Sequence, residues 1–181
     1  SSATENNTNS TEPKTEVSSA TENNTKPADA EKKTQKKEVK NLVKDIEYLT
    51  TDSNGNKYKI LATSGGTNLK DNSILDLANV RGEITSEDRS TIFIVSDFAE
   101  YNSQNLNSKF YENVIINYEN KQITCNNFDI NMAKNIAIAY NNVVVTDPTS
   151  VMKAGEIILD IKTKNININP NNNDKIKIIA N

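Results

Sequence analysis

From about Leu42 onward the chain places large apolar residues at every second position, and this period of two limits its possible folds more than any other feature. Such a spacing puts alternate side chains on opposite faces of an extended strand, so each run can bury one face and leave the other in water. In KYKILATSG, Tyr58, Ile60 and Ala62 share one face and Lys57 and Lys59 the other. The pattern recurs with Leu75, Leu77 and then Val80, with Ile92, Ile94 and Ser96, and with Val114, Ile116 and Tyr118. It recurs again with Ile136, Ile138 and Tyr140 and with Ile157, Leu159 and Ile161. Helix has little support, because the one stretch with helical spacing, 28–39, has a sparse apolar face and would be marginal in isolation. The expected fold is all-β and antiparallel.

Turn chemistry fixes the first pairing. Asn54-Gly55 is a two-residue hairpin signal, since both central positions tolerate positive φ, and it joins Asp45–Thr51 to Lys57–Thr63. A second signal is an echo: DLANV ends at Val80, FYENV at Val114, AYNNV at Val143 and, more loosely, KTKNI at Ile166, at intervals of 34, 29 and 23 residues. Each unit has an outgoing strand, an Asn able to take a bend or bulge conformation, and a continuing strand that starts on a β-branched residue. An irregular period with a constant corner predicts stacked β-hairpin units, each covering its neighbour's apolar face.

The first forty residues differ. They are Ser, Thr, Asn, Glu and Lys with almost no large apolar side chain, and SSATENNT at 1–8 recurs at 18–25. Such a segment cannot offset its conformational entropy by burial, and a duplication of this kind suits a linker. The expected organisation is a disordered tether over 1–41 and one β domain over 42–181.

Several function classes are set aside by composition. Residues 1–45 carry eight basic and eight acidic side chains, so the net charge of −3 lies in the later part, and no basic stripe or aromatic platform points to nucleic acid. The chain has no histidine and one cysteine, which removes the common general base, most nucleophilic triads and Cys/His metal spacings. Cys125, in QITCNN, is read as a small buried hydrophobe rather than a nucleophile. The carboxylate pairs Asp97/Glu100 and Asp45/Glu47 lie among solvent-facing positions with nothing to raise a pKa, so no catalysis is expected of them. Neither a cofactor nor a metal is expected. No apolar run approaches the length that spans a bilayer.

In their order along the chain, SNGNKYKILATSG, ILDLANVRGEI, IFIVSDFAEYN, FYENVIINYENKQITCNNFDI and VMKAGEIILDIKTKNININ resemble the successive units of the OstA-like β-jellyroll family of lipopolysaccharide export proteins, which includes LptA and LptC. The glycine-containing opening and the long polar stretch ahead of it resemble LptC more than LptA. The resemblance covers about Asp45 to the C-terminus. It implies a twisted open β-jellyroll and a non-enzymatic role: lipopolysaccharide received from an inner-membrane ABC transporter complex and passed to an LptA-like periplasmic bridge protein. It also implies a periplasmic location, with a tether to the inner membrane through an N-terminal anchor ahead of this chain.

An open jellyroll with apolar inner faces can shield acyl chains, at about 0.8 kcal/mol per buried CH₂. The candidates for the lining are Ile60, Leu75, Leu77, Ile92, Ile94, Phe98, Val114, Ile116, Ile138, Tyr140, Val143 and Ile157. The candidate edge for a partner strand is Ile166, Ile168, Ile176 and Ile178, in two short strands separated by the breaker Pro170. Two other readings stay open. A structural β-repeat or adhesin-like module would show the same alternation around a packed core, and a carbohydrate-active β-solenoid enzyme would need a convergent acid pair that the sequence does not offer.

Overall fold

The structure is a computed structural model that describes residues 38–163, residues 165–170 and the backbone of 177–180. Its ten strands are β1 (Val39–Thr51), β2 (Lys57–Asn68), β3 (Ile74–Ser86), β4 (Arg89–Asn102), β5 (Ser108–Tyr118), β6 (Lys121–Asn131), β7 (Ile136–Thr146), β8 (Ser150–Asp160), β9 (Ile166–Asn169) and β10 (Lys177–Ala180). They form one antiparallel meander in which β1 to β8 pair in chain order. β9 and β10 both lie on the far side of β8, Ile168 facing Ile157 and Ile178 facing Met152, as two pieces of one interrupted edge strand. Pro170 follows the first piece, as expected of a residue that cannot donate to a ladder. The sheet is open, with β1 at one edge and the β9/β10 pair at the other. Ile176 lies outside the described residues, as do 1–37 of the expected tether. The expected boundary before Leu42 falls inside β1, which already pairs at Val39 with Asn68.

The first hairpin has the expected partners, Ile46 with Ala62 through Thr51 with Lys57, but its turn is longer than two residues. Only Gly55 has positive φ, at 82°, and the Asp52 N–H donates to the Asn56 carbonyl across a wider loop. The Asp52 carboxylate explains the difference. It accepts hydrogen bonds from the N–H groups of Asn54 and Asn56 at 2.8 and 2.9 Å, which hold the turn open at a width that Asn-Gly alone would not select.

The recurring Asn marks a corner in the middle of a long strand. Positive φ occurs at Asn79 in β3, at Glu112 and Asn113 in β5, and at Asn141 and Asn142 in β7. The ladder shifts register between Tyr111 and Val114 and between Tyr140 and Val143. Asn is the non-glycine residue that adopts this conformation at least cost, and two such residues in a row bend a strand sharply. Each corner is also tied to the preceding strand: Asn79 Nδ2 donates to Thr63 Oγ1 at 3.0 Å, Asn113 Nδ2 to an Asp97 carboxylate oxygen, and Asn141 Nδ2 to Asn127 Oδ1 at 2.8 Å. The fourth echo behaves differently, since Ile166 simply opens β9.

These corners let the sheet curl so that its inner face closes on itself. Tyr48 of β1 stacks on Tyr101 of β4 with centroids 5.1 Å apart, and Phe110 tilts against Phe128 at 6.1 Å. The buried core runs through all eight long strands except β1, with Val80, Ala99, Phe110, Val114 and Val143 at 1% exposure or less.

Candidate functional site

The inner face is filled in one part and open in another. Around Ile60, Ile94, Tyr101, Phe110 and Ile130, side chains from β2 to β6 leave only about 20 Å³ unfilled, roughly the room of one water molecule. Farther along, the curled sheet encloses a cavity of about 350 Å³. Its walls are Ile84 and Ile92 from β3 and β4, Ile116 and Ile123 from β5 and β6, and Ile157 and Leu159 from β8. Phe128, Ala137 and Ala139 form its floor, and Ile166 and Ile168 of β9 close one side.

The floor is low for a stated reason. In the first half of β7 the inward residues are Ala137 and Ala139, whose side chains reach less far than the isoleucines and leucine of the walls.

Polar groups lie at the rim and come from one end of the sheet. Arg89, Lys121 and Ser150 are the first residues of β4, β6 and β8, and Asp147 sits in the β7–β8 turn. Asp147 is committed to its own turn. Its carboxylate accepts the Thr149 N–H, the Thr149 hydroxyl and the Ser150 N–H, each at 2.8 Å, and the Ser150 hydroxyl at 2.9 Å, which pulls its pKa down to about 2. Burial pushes the Cys125 thiol up to about 11, so it is a neutral thiol in the core, as its place on the alternating strand suggested. Among the described residues no group of three or more acidic or thiol side chains could hold a metal ion.

The sequence profile of the family described as "Lipopolysaccharide-assembly, LptC-related" matches residues 15–172. The chain belongs to that family. Among solved structures it is similar to LptH, the LptA-homologous periplasmic component of the lipopolysaccharide transport device of Pseudomonas aeruginosa, with a TM-score of 0.50 and 7% identity over 67% of this chain and 93% of that one. At that identity the likeness is one of fold, and the fold is the expected jellyroll. A comparison with curated proteins finds no match. The family gives the chain a part in lipopolysaccharide transport.

Within this LptC-related domain the candidates separate into three groups. Ile92, Ile116 and Ile157 line the cavity. Ile60, Leu77, Ile94, Val114 and Val143 face inward but are packed in the filled part or at the corners, with Leu75 half-buried against them. Phe98, Ile138 and Tyr140 lie on the outer face. Phe98 stacks on Tyr111 at 5.7 Å, while its neighbour Ala99 is the buried one. Ile138 and Tyr140 alternate with Ala137 and Ala139, and the Tyr140 hydroxyl donates to Asp129 Oδ2 at 3.3 Å.

The inward assignment of Ile138 and Tyr140 followed hydrophobicity, and the smaller Ala137 and Ala139 that alternate with them take the inner face instead. The echo carried the correct phase: aligning AYNNV on FYENV puts Ala139 at the place of the inward Phe110 and Tyr140 at that of Tyr111. Of the edge candidates, Ile166 and Ile168 face the cavity as well as ending the sheet, and Ile178 contributes a backbone pair to β8. The apolar lining residues not named as candidates are Ile84, Tyr118, Ile123, Phe128, Val145, Met152, Leu159 and Ile161, together with the two alanines.

Proposed function

We propose that this domain carries lipopolysaccharide by its acyl chains, without catalysis, as one station between an inner-membrane ABC transporter and a periplasmic bridge protein of the LptA type. The observation that carries the reading is the cavity of about 350 Å³ with apolar walls. Interiors are otherwise packed to near-crystalline density, and an apolar void this large is costly unless something occupies it part of the time. Acyl methylenes gain about 0.8 kcal/mol each on leaving water for such a space, while a sugar headgroup remains outside. A structural β-repeat module would need a filled interior, and the cavity argues against that reading.

Transfer to the next protein uses the open edge at β9 and β10, whose outward backbone can accept a further strand. The polar segment 1–37 serves as the spacer between the domain and the inner membrane, a role suited to its composition.

Site-specific photo-crosslinking tests the reading. A crosslinking side chain at Ile123 or Leu159, both on the cavity wall, captures lipopolysaccharide in cells, and one at Tyr140 on the outer face does not. Capture at Tyr140 alone, or at none of the three, would exclude the cavity as the carrier site.

A further inference from the structure

We infer that the Arg89 guanidinium is an anion-binding site at the mouth of the cavity, and that it takes the phosphate monoester of an acylated headgroup while the acyl chain lies inside. Arg89 opens β4 and lines the cavity. Its Nε and Nη2 are both covered from solvent, and neither has a hydrogen-bond partner. These two nitrogens form one edge of the guanidinium, the edge that presents two parallel N–H donors to a single oxyanion. Covered donors without an acceptor are costly, and arginine donors are among the costliest. Two parallel donors with no acceptor in the protein form an edge that a single oxyanion would satisfy.

The surrounding charges agree. Lys121, exposed on the same rim, adds a second cation. Two acids are hydrogen-bonded within their own turns: Asp147, on the same rim, by Thr149 and Ser150, and Asp52 by the Asn54 and Asn56 backbones, the Asn56 side chain and the Tyr58 hydroxyl. One apolar chamber and one bidentate cation at its mouth together describe an amphiphile with an anionic head. A free anion would have no use for the chamber, and a neutral lipid none for the fork.

The inference rests on the acyl-carrier reading above, and the test separates the two. The full chain is titrated with dodecyl phosphate, dodecanol and inorganic phosphate, each followed by displacement of a fluorescent apolar probe and by calorimetry. The wild-type protein binds dodecyl phosphate about tenfold or more tightly than dodecanol, and binds inorganic phosphate far more weakly than either. Arg89→Gln removes the preference of dodecyl phosphate over dodecanol; Arg89→Lys, which keeps the charge but not the fork, restores only part of it. Without lipid, Arg89→Gln melts at or above the wild-type temperature, because it removes unpaired donors. Equal binding of dodecyl phosphate and dodecanol by the wild type, or a preference that survives in Arg89→Gln, overturns the headgroup site and leaves the acyl cavity standing. Inorganic phosphate bound as tightly as dodecyl phosphate overturns it in favour of a free-anion site. A lowered melting temperature in Arg89→Gln shows a structural arginine and also overturns it. Failure of both amphiphiles to bind removes the carrier reading itself.

Discussion

Asn141 Nδ2 donates to Asn127 Oδ1 at 2.8 Å across the β6–β7 ladder, at the place where the register shifts and both Asn141 and Asn142 take positive φ. The same relation holds two strands earlier between Asn113 and Asp97 and two strands before that between Asn79 and Thr63. A line of side-chain bonds thus runs along the outer face at the corner of the sheet, fixing where each strand bends. Because the bend curls the sheet around the cavity, the corner asparagines govern the shape of the cavity without touching it.

Replacing a corner residue by a β-branched one should therefore cost more than deleting its side chain. Asn113 sits at φ 51°, where a β-branched residue is strained by about 1–3 kcal/mol. Asn113→Val lowers stability in urea unfolding by about that amount plus the lost bond, and Asn113→Gly by about 1 kcal/mol or less. Equal losses for the two variants would mean that the positive φ is not what the Asn supplies.

Gly66 makes a separate demand on the first hairpin. A Cβ there would collide with the Lys40 carbonyl oxygen and come within 2.9 Å of a Val39 methyl, so β1 can lie against β2 only over a bare backbone. Gly66→Ala displaces the start of β1. Amide hydrogen exchange then shows lost protection across 39–44 while β4 to β8 keep theirs.

The filled and open parts of the interior respond differently to truncation. Phe110 is 1% exposed and packed against Phe128, Ile94 and Gly82, so Phe110→Ala costs about 3–5 kcal/mol. Ile123 borders the cavity and is only half-buried, so Ile123→Ala removes fewer contacts and costs about 1 kcal/mol. The reverse substitution separates function from stability. Ile123→Trp occupies the cavity, leaves the melting temperature within a few degrees of wild type, and reduces lipid capture at Leu159.

Acid should weaken the fold through its turns. The Thr149 backbone N–H, then the Thr149 and Ser150 hydroxyls, hold Asp147 at about 2, and the Thr163 N–H lowers Asp160 in the same way. At Asp52 burial pushes upward, but hydrogen bonds from Asn56, Asn54 and Tyr58 outweigh it and the result is lowered. A carboxylate depressed on folding contributes stability that is fully present above its unfolded value of about 4 and is lost as pH falls through its folded value. The melting temperature accordingly stays level from neutral pH down to about 5 and falls between about pH 4 and 2. Asp147→Ala melts lower at neutral pH and falls less steeply in acid. Asp129, raised by burial, works in the opposite sense, so Asp129→Asn makes the acid fall steeper.

The sequence by itself determined the strands, most of their inward faces and the positions of the corners. Period two is a local property: Tyr58, Ile60 and Ala62 must share a face whatever lies around them, and an Asn before a β-branched residue can bend whatever it bends toward. The phase of β7 was present in the echo, where Tyr140 occupies the place of Tyr111, but the hydrophobic pattern read by itself put Ile138 and Tyr140 on the wrong face. What only the tertiary structure decided is which inward residues meet others and which meet empty space. Ile94 and Ile116 have the same chemistry and the same facing, yet one is packed against Phe110 and Ile130 and the other looks onto the cavity. That difference depends on how far the sheet curls, which brings Ala137 and Ala139 to the same cavity as Ile84 and Ile92, more than forty residues away in sequence. Arg89 is the clearest case. Nothing local distinguishes it from a surface arginine after a turn, and only the curled sheet covers its Nε and Nη2 while leaving them no acceptor.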